Sequence, residues 1–215
     1  MLFRSGYFCG TYLGIRHGVS AGAMALITSQ QPIVVALLAP RLVGERVSAR
    51  HWLGLLLGVG GAALVITAGG ELHFTWTGFG FALLALAGMT TATLWEKRFG
   101  RTVHPVGANL VQCAVGLCIT APLAWALEPM HIAFTPGLLV SLAYLALGNS
   151  LVAISLLLAL VRFGQASRVS ALFFLIPPVT ALMAYGLLDE TLPTMAWPGI
   201  ALAGLGIYLV MRKPA

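Results

Sequence analysis

The stretch Pro32–Ile66, PIVVALLAPRLVGERVSARHWLGLLLGVGGAALVI, decides the fold because the chain carries it twice. Moved forward by 145 positions it lies without a gap on Pro177–Met211, PPVTALMAYGLLDETLPTMAWPGIALAGLGIYLVM. The register pairs Pro32 with Pro177, Ala36 with Ala181, Leu42 with Leu187, Glu45 with Glu190, Trp52 with Trp197, Gly54 with Gly199 and Gly61 with Gly206. Chance does not place a Pro, a Glu, a Trp and two Gly in one register. Each copy reads as an apolar span, a short turn carrying Glu, and a second apolar span rich in small residues.

Working outward, hydrophobic residues make up 59% of the 215 and charged residues 8%, against about 45–50% and about 25% in soluble domains. So few charges cannot cover a water-facing surface, and the useful unit becomes the apolar span of about 20 residues. The net charge of +6 does not imply a nucleic-acid partner, because the basic residues stand singly or in twos and threes between apolar runs, as membrane topology requires. Cys9, Cys113 and Cys118 sit in apolar stretches with no CxxC and no His at metal-ligand spacing. They read as small core residues, and neither a metal nor another cofactor is expected.

Eight apolar pieces follow one another: Leu2–Ile15, Val19–Leu42, Trp52–Thr67, Phe74–Leu94, Val106–Leu127, Gly137–Leu160, Val169–Leu188 and Ala196–Met211. The first is short for a span and contains Arg4, with Gly6, Gly10, Gly14, Gly18 and Gly22 at four-residue spacing, a face on which another backbone can approach closely. Backbone groups in lipid must be satisfied within the segment, so the expected fold is an all-α integral membrane bundle of eight transmembrane helices. With a cytoplasmic N-terminus, all of the twelve Lys and Arg except Arg16 fall on the inner side, which places both termini in the cytoplasm. The turn at Glu45 is flanked by Arg41, Arg46 and Arg50 and lies inside; its partner at Glu190 adjoins Asp189 and lies outside. The two copies are therefore expected upside down relative to each other. That requires an odd number of spans per copy: residues 71–215 hold five, residues 1–70 hold three, and the first copy is expected to lack two.

These residues resemble the EamA-domain branch of the drug/metabolite transporter superfamily over essentially the whole chain. The resemblance rests on QQPIVVALLAPRLVGERVSARHWLGLLLGVGGAALVI, on TLWEKRF closing the fourth span, and on GQASRVSALFFLIPPVTALMAYGLLDETL. It implies ten helices in two inverted five-helix repeats around a cavity that opens alternately to each side, and export of amino acids, other metabolites or drugs. Relative to that pattern, the chain lacks the first two helices.

In such a carrier the solute is expected near the midplane, beside proline-broken helices. By depth the candidates are Gln30 and Gln31 beside Pro32, Thr90 and Thr91, Gln112, Asn149 and Ser150, and Phe174 beside Pro177. Uncharged amides and hydroxyls can hold the amino and carboxyl groups of a small solute and cost little in lipid compared with ions. The competing reading is that they tie helices together, at about 0.6 kcal/mol each. Pro32, Pro177 and Pro178 are gating candidates, since proline kinks a helix and frees a carbonyl one turn earlier. Glu45 is expected to pair with Arg41 or Arg46 at the interface, Glu96 to lie at the cytoplasmic boundary beside Lys97 and Arg98, and Trp52 and Trp197 to anchor at the membrane surface. No catalytic residue is expected.

The expected function is secondary transport of a small metabolite out of the cell across the plasma or inner membrane. The partners are that solute and the bilayer, and a homodimer is compatible with the sequence. The alternatives are a membrane enzyme acting on a lipid-linked substrate, which should show clustered acids or His at one interface, and a non-transporting membrane subunit.

Overall fold

The computed structural model describes residues 2–70, 72–100, 104–127, 134–187 and 193–212. The expectations placed on Arg101, Asp189, Glu190 and Lys213 lie outside those residues. Every regular element among the described residues is helical: α1 (Leu2–Arg16), α2 (Ala21–Thr28), α3 (Gln31–Leu42), α4 (Ala49–Ala68), α5 (Trp76–Phe99), α6 (Pro105–Leu127), α7 (Pro136–Ala143), a π-helix (Tyr144–Ala153), α8 (Ile154–Phe163), α9 (Ala166–Ala171), a 3₁₀ turn (Leu172–Leu175), α10 (Ile176–Leu187) and α11 (Ala196–Met211). Among the described residues six rods are long and apolar enough to cross a membrane: Ala21–Leu42, Ala49–Ala68, Trp76–Phe99, Val106–Ala126, Pro136–Phe163 and Ala166–Met183. At about 1.5 Å per residue, α1 and α11, with 15 and 16 residues, fall short of the roughly 30 Å hydrocarbon core.

Two rods that read as continuous spans in the sequence are interrupted, and at the same register. The first stops at Thr28 and restarts at Gln31; the second narrows to 3₁₀ over Leu172–Leu175 and restarts at Ile176. In each, the new helix carries proline at its second position, where its missing N–H costs nothing, so Pro32 and Pro177 start helices rather than kink them. Upstream of Pro32 the cause of the break is local. Thr28 Oγ1 donates to the Met24 carbonyl at 2.9 Å, Ser29 Oγ to Leu26 at 2.8 Å and Gln30 Nε2 to Leu26 at 3.2 Å, and such back-bonding competes with the helix ladder. The second copy has no comparable polar run there and uses the pair Pro177–Pro178.

The core is built on small residues. Helices α4 and α11, which occupy equivalent places in the two sequence copies, pack against each other along Gly54, Gly58, Gly61, Gly199 and Gly206. Gly54 faces Gly206 while Gly61 faces Gly199, so the two helices run antiparallel. Around the seam, Ala36, Leu55, Ala62, Ala171, Phe174, Ile207 and Val210 form one buried cluster, with Trp52 packed at its edge; Trp197 is exposed. A second close pair joins α1 to α5: a Cβ at Gly10 would stand 2.8 Å from the Phe81 carbonyl, and one at Gly78 would stand 3.0 Å from that of Gly14. The glycine stripe thus divides. Gly10 and Gly14 make the contact, Gly18 ends α1 with φ +88, and Gly6 meets open space.

Two expectations are corrected. Glu45 is buried, and its carboxylate accepts from the backbone N–H of Ala166 at 2.6 Å, the N–H of Ser167 at 3.1 Å and the Ser167 hydroxyl at 2.9 Å. The free N–H groups and positive end of the rod that begins with α9 outcompete the solvated arginines. Cys113 and Cys118 are exposed on α6 rather than packed in the core, since within a bilayer an apolar face turns outward as readily as inward.

Candidate solute cavity

Where α1, α5, α6, α8 and the start of α10 converge they enclose a cavity of about 580 Å³, in the range of small-molecule sites. Its walls are largely apolar and aromatic, with Tyr7 and Phe8 from α1, Trp95 and Phe99 from α5, and Phe173 from the 3₁₀ turn. The polar groups on it are few: Thr93, Glu96, Gln112 and Arg162.

Glu96 and Arg162 form an ion pair, Nε to Oε1 at 2.6 Å, with side chains 12% and 3% exposed. Both stand in the last turn of their helices, α5 and α8. Lys97 secures that end by donating from Nζ to the carbonyls of Arg162, at 3.1 Å, and Gly164, a favourable place for a cation at a helix C-terminus. Glu96 is thus largely buried against its counter-ion at the paired ends of the two helices.

Gln31 is fully buried where α3, α5 and α9 meet; its Nε2 donates to Thr93 Oγ1 at 3.1 Å and to Ser170 Oγ at 3.4 Å. Its Oε1 is buried without a hydrogen-bond partner among the described residues, and so is Thr90 Oγ1, one turn before Thr93 on α5. Through Thr93, which also donates to the Met89 carbonyl at 3.0 Å, this polar junction reaches the cavity wall. Unsatisfied buried polar groups are costly, which makes Gln31 and Thr90 the two candidates with spare hydrogen-bonding capacity.

The remaining candidates are distributed as follows. Gln112 lines the cavity. Gln30 and Thr91 bond back to carbonyls of their own helices, Leu26 and Ala87. Phe174 neighbours the cavity residue Phe173 but is itself buried in the α4–α11 core. Asn149 and Ser150 lie in the π-helix, with Asn149 exposed. The Ser150 carbonyl accepts from Asn109 Nδ2 at 2.5 Å, and its hydroxyl lies 3.4 Å from Cys113 Sγ. Pro32 and Pro178 are buried and Pro177 is half-buried. Asn109, which also donates to Ser155 Oγ at 3.3 Å, escaped the sequence reading, although it is an amide inside an apolar span three residues before Gln112. Among the described residues no group of three His, Cys, Asp or Glu side chains is placed to hold a metal ion.

Residues 76–212, more than half of the chain, match the family described as EamA-like transporters. The chain belongs to that family. It is accordingly a multi-pass membrane protein, and its relatives are named as transporters. An uncharacterized transporter of Synechocystis is 29% identical over 211 residues, covering 90% of this EamA chain and 64% of the relative. A probable terminal-alkyne amino-acid exporter of Streptantibioticus cattleyicolor is 28% identical over 207 residues, covering 91% and 65%. The chain thus spans just under two thirds of the length of these relatives. A solved crystal structure of a protein is similar with a TM-score of 0.80 at 19% identity, over 96% of this chain and 72% of that one, a likeness of fold.

Proposed function

We infer that this EamA protein is a secondary transporter that moves a small amphipathic metabolite, such as an amino acid or a drug-like solute, outward by alternating access. The observation that carries the reading is the 580 Å³ cavity, largely apolar with aromatic residues on part of its wall and polar at few points, enclosed by helices of both sequence copies. The two interrupted rods give it moving parts, since each copy breaks its helix at the same register and both breaks border the polar junction or the cavity. Discontinuous helices at a repeat interface are where carriers of this kind bind and gate. The full architecture is two inverted five-helix repeats in the inner membrane, with both termini cytoplasmic. Helices of both repeats fall in this chain, and the antiparallel α4 and α11 are the equivalent helices of the two halves. The name of the amino-acid exporter relative supports an amino acid as a first solute to test.

The test is counterflow in proteoliposomes containing the protein at its natural full length, preloaded with each of the twenty amino acids in turn. Saturable exchange of at least one supports the transport reading. If none exchanges, and no drug-like cation or neutral metabolite in a second panel does either, the reading fails.

A further inference from the structure

Resting on that reading, we propose that the Glu96–Arg162 ion pair is the charge-recognition element of the cavity, opening to receive the two ends of a zwitterionic solute. The carboxylate of the solute takes the Arg162 guanidinium, and its ammonium takes the Glu96 carboxylate.

Among the described residues on the cavity wall, Glu96 and Arg162 are the charged ones, of opposite sign and already bonded to each other. The two charges on the wall therefore cancel, and their side chains are largely buried against each other. A solute carrying one charge would bring an uncompensated charge into a medium of low dielectric, and would strip one member of the pair of its partner while satisfying the other. A zwitterion adds no net charge. It exchanges one carboxylate–guanidinium contact for another and supplies an ammonium to the carboxylate it releases, so each charge keeps an opposite neighbour throughout.

Geometry favours the same exchange. Arg162 meets Glu96 through Nε, and the planar guanidinium is of a shape that matches a carboxylate, whether that of Glu96 or that of a solute. The backbone that carries Arg162 is held from behind by Lys97 through the carbonyls of Arg162 and Gly164, so the side chain can change partner while its helix end stays fixed. Trp95 and Phe99 from α5 also line the cavity, giving an apolar side chain a surface to lie against while its charged end meets the pair. The solute class is thus an α-amino acid with an apolar or aromatic side chain.

The structural alternative is that the pair merely braces α5 to α8. A double variant separates the two, because Glu96→Gln with Arg162→Gln keeps a hydrogen-bonded brace and removes both charges. The assay is counterflow of L-phenylalanine and of L-leucine in proteoliposomes, with 3-phenylpropanoate and 2-phenylethylamine as competitors bearing one charge each. Melting and gel filtration report folding. The wild type is expected to exchange at least one of the two amino acids and to resist either competitor at tenfold excess. The double variant should fold and lose exchange by at least tenfold, and Arg162→Lys should recover part of it. Wild-type exchange in the double variant, or equal competition by a singly charged analogue, overturns the proposal and leaves transport standing. So does exchange confined to neutral or singly charged solutes. Absence of exchange of every solute overturns the transport reading itself.

Discussion

Gly54 and Gly206 meet backbone to backbone: a Cβ added to either would stand 2.6 Å from the carbonyl oxygen of the other. The sequence register turns this contact into a statement of symmetry. Gly54 corresponds to Gly199 and Gly61 to Gly206, so the contact of Gly54 with Gly206 maps onto that of Gly199 with Gly61, which is also present, at 2.6 and 2.9 Å. Each half thus presents the same surface to the other, as an isologous interface does between two identical subunits.

A methyl group at this seam has nowhere to go, because the opposing atoms are backbone rather than flexible side chains. Gly54→Ala or Gly206→Ala is expected to cost about 1–3 kcal/mol by overpacking, read as a lower melting temperature and reduced yield in detergent. Gly204→Ala on the same helix α11, with nothing within 4 Å of its Cβ position, is the matched control and should leave both unchanged. Equal losses at Gly54 and Gly204 would refute the close approach.

The all-helical membrane class is legible because its evidence lies along the chain: apolar lengths and the scarcity of charge survive in one dimension. What could not be read depends on partners distant in sequence. By sequence Glu45 falls to Arg41 or Arg46 because they are its neighbours, whereas its donors are about 120 residues away in α9. Glu96 adjoins Lys97 and Arg98, and both it and Arg162 fall near the end of a span, where interfacial charges stand; only the approach of α5 to α8 pairs them. The break before Pro32 was visible as TSQQP, but proline at a helix start and proline inside a helix look alike in sequence. Gln31 stood out as an amide in an apolar span. Phe174, chosen for its neighbour Pro177, fills the core because its own helical face turns toward Gly58.

Glu45 ties the first copy to the second, so its loss should be felt by the whole bundle. Three donors converge on one buried carboxylate at 2.6, 3.1 and 2.9 Å, and charge-assisted hydrogen bonds contribute about 1.5–3 kcal/mol each when intact. Glu45→Ala is expected to lower the apparent melting temperature by about 5–15 °C, with Ser167→Ala, which removes a single contact, costing a few degrees at most. A Glu45→Ala protein that melts with the wild type would return this residue to the solvated interface.

At the junction of α3, α5 and α9, substitution separates binding from bracing. Gln31→Leu keeps the volume and removes two hydrogen bonds of 3.1 and 3.4 Å, while Thr93 retains its bond to the Met89 carbonyl. Stability should change by about 1 kcal/mol or less, as for interhelical hydrogen bonds in lipid generally. Flux through the cavity should nevertheless fall at least tenfold, because Thr93 on the cavity wall loses the amide that positions it. Flux and melting measured on the same preparation decide it: a loss of flux matched by a comparable loss of folded protein assigns Gln31 to bracing alone.

The prolines offer the test of movement. Pro32 opens α3 after the interruption at Ser29 and Gln30 and has no N–H with which to extend the α2 ladder. Pro32→Ala restores a donor able to reach the Thr28 carbonyl, and alanine is the strongest helix former, so the two segments gain a route to fuse into one rod. Folding yield should hold or rise slightly, while turnover in proteoliposomes should drop several-fold because the jointed helix stiffens. Pro177→Ala, at the equivalent place in the other copy, is expected to act in the same direction. If either substitution instead lowers yield and leaves turnover per folded molecule unchanged, the proline shapes the fold and takes no part in gating.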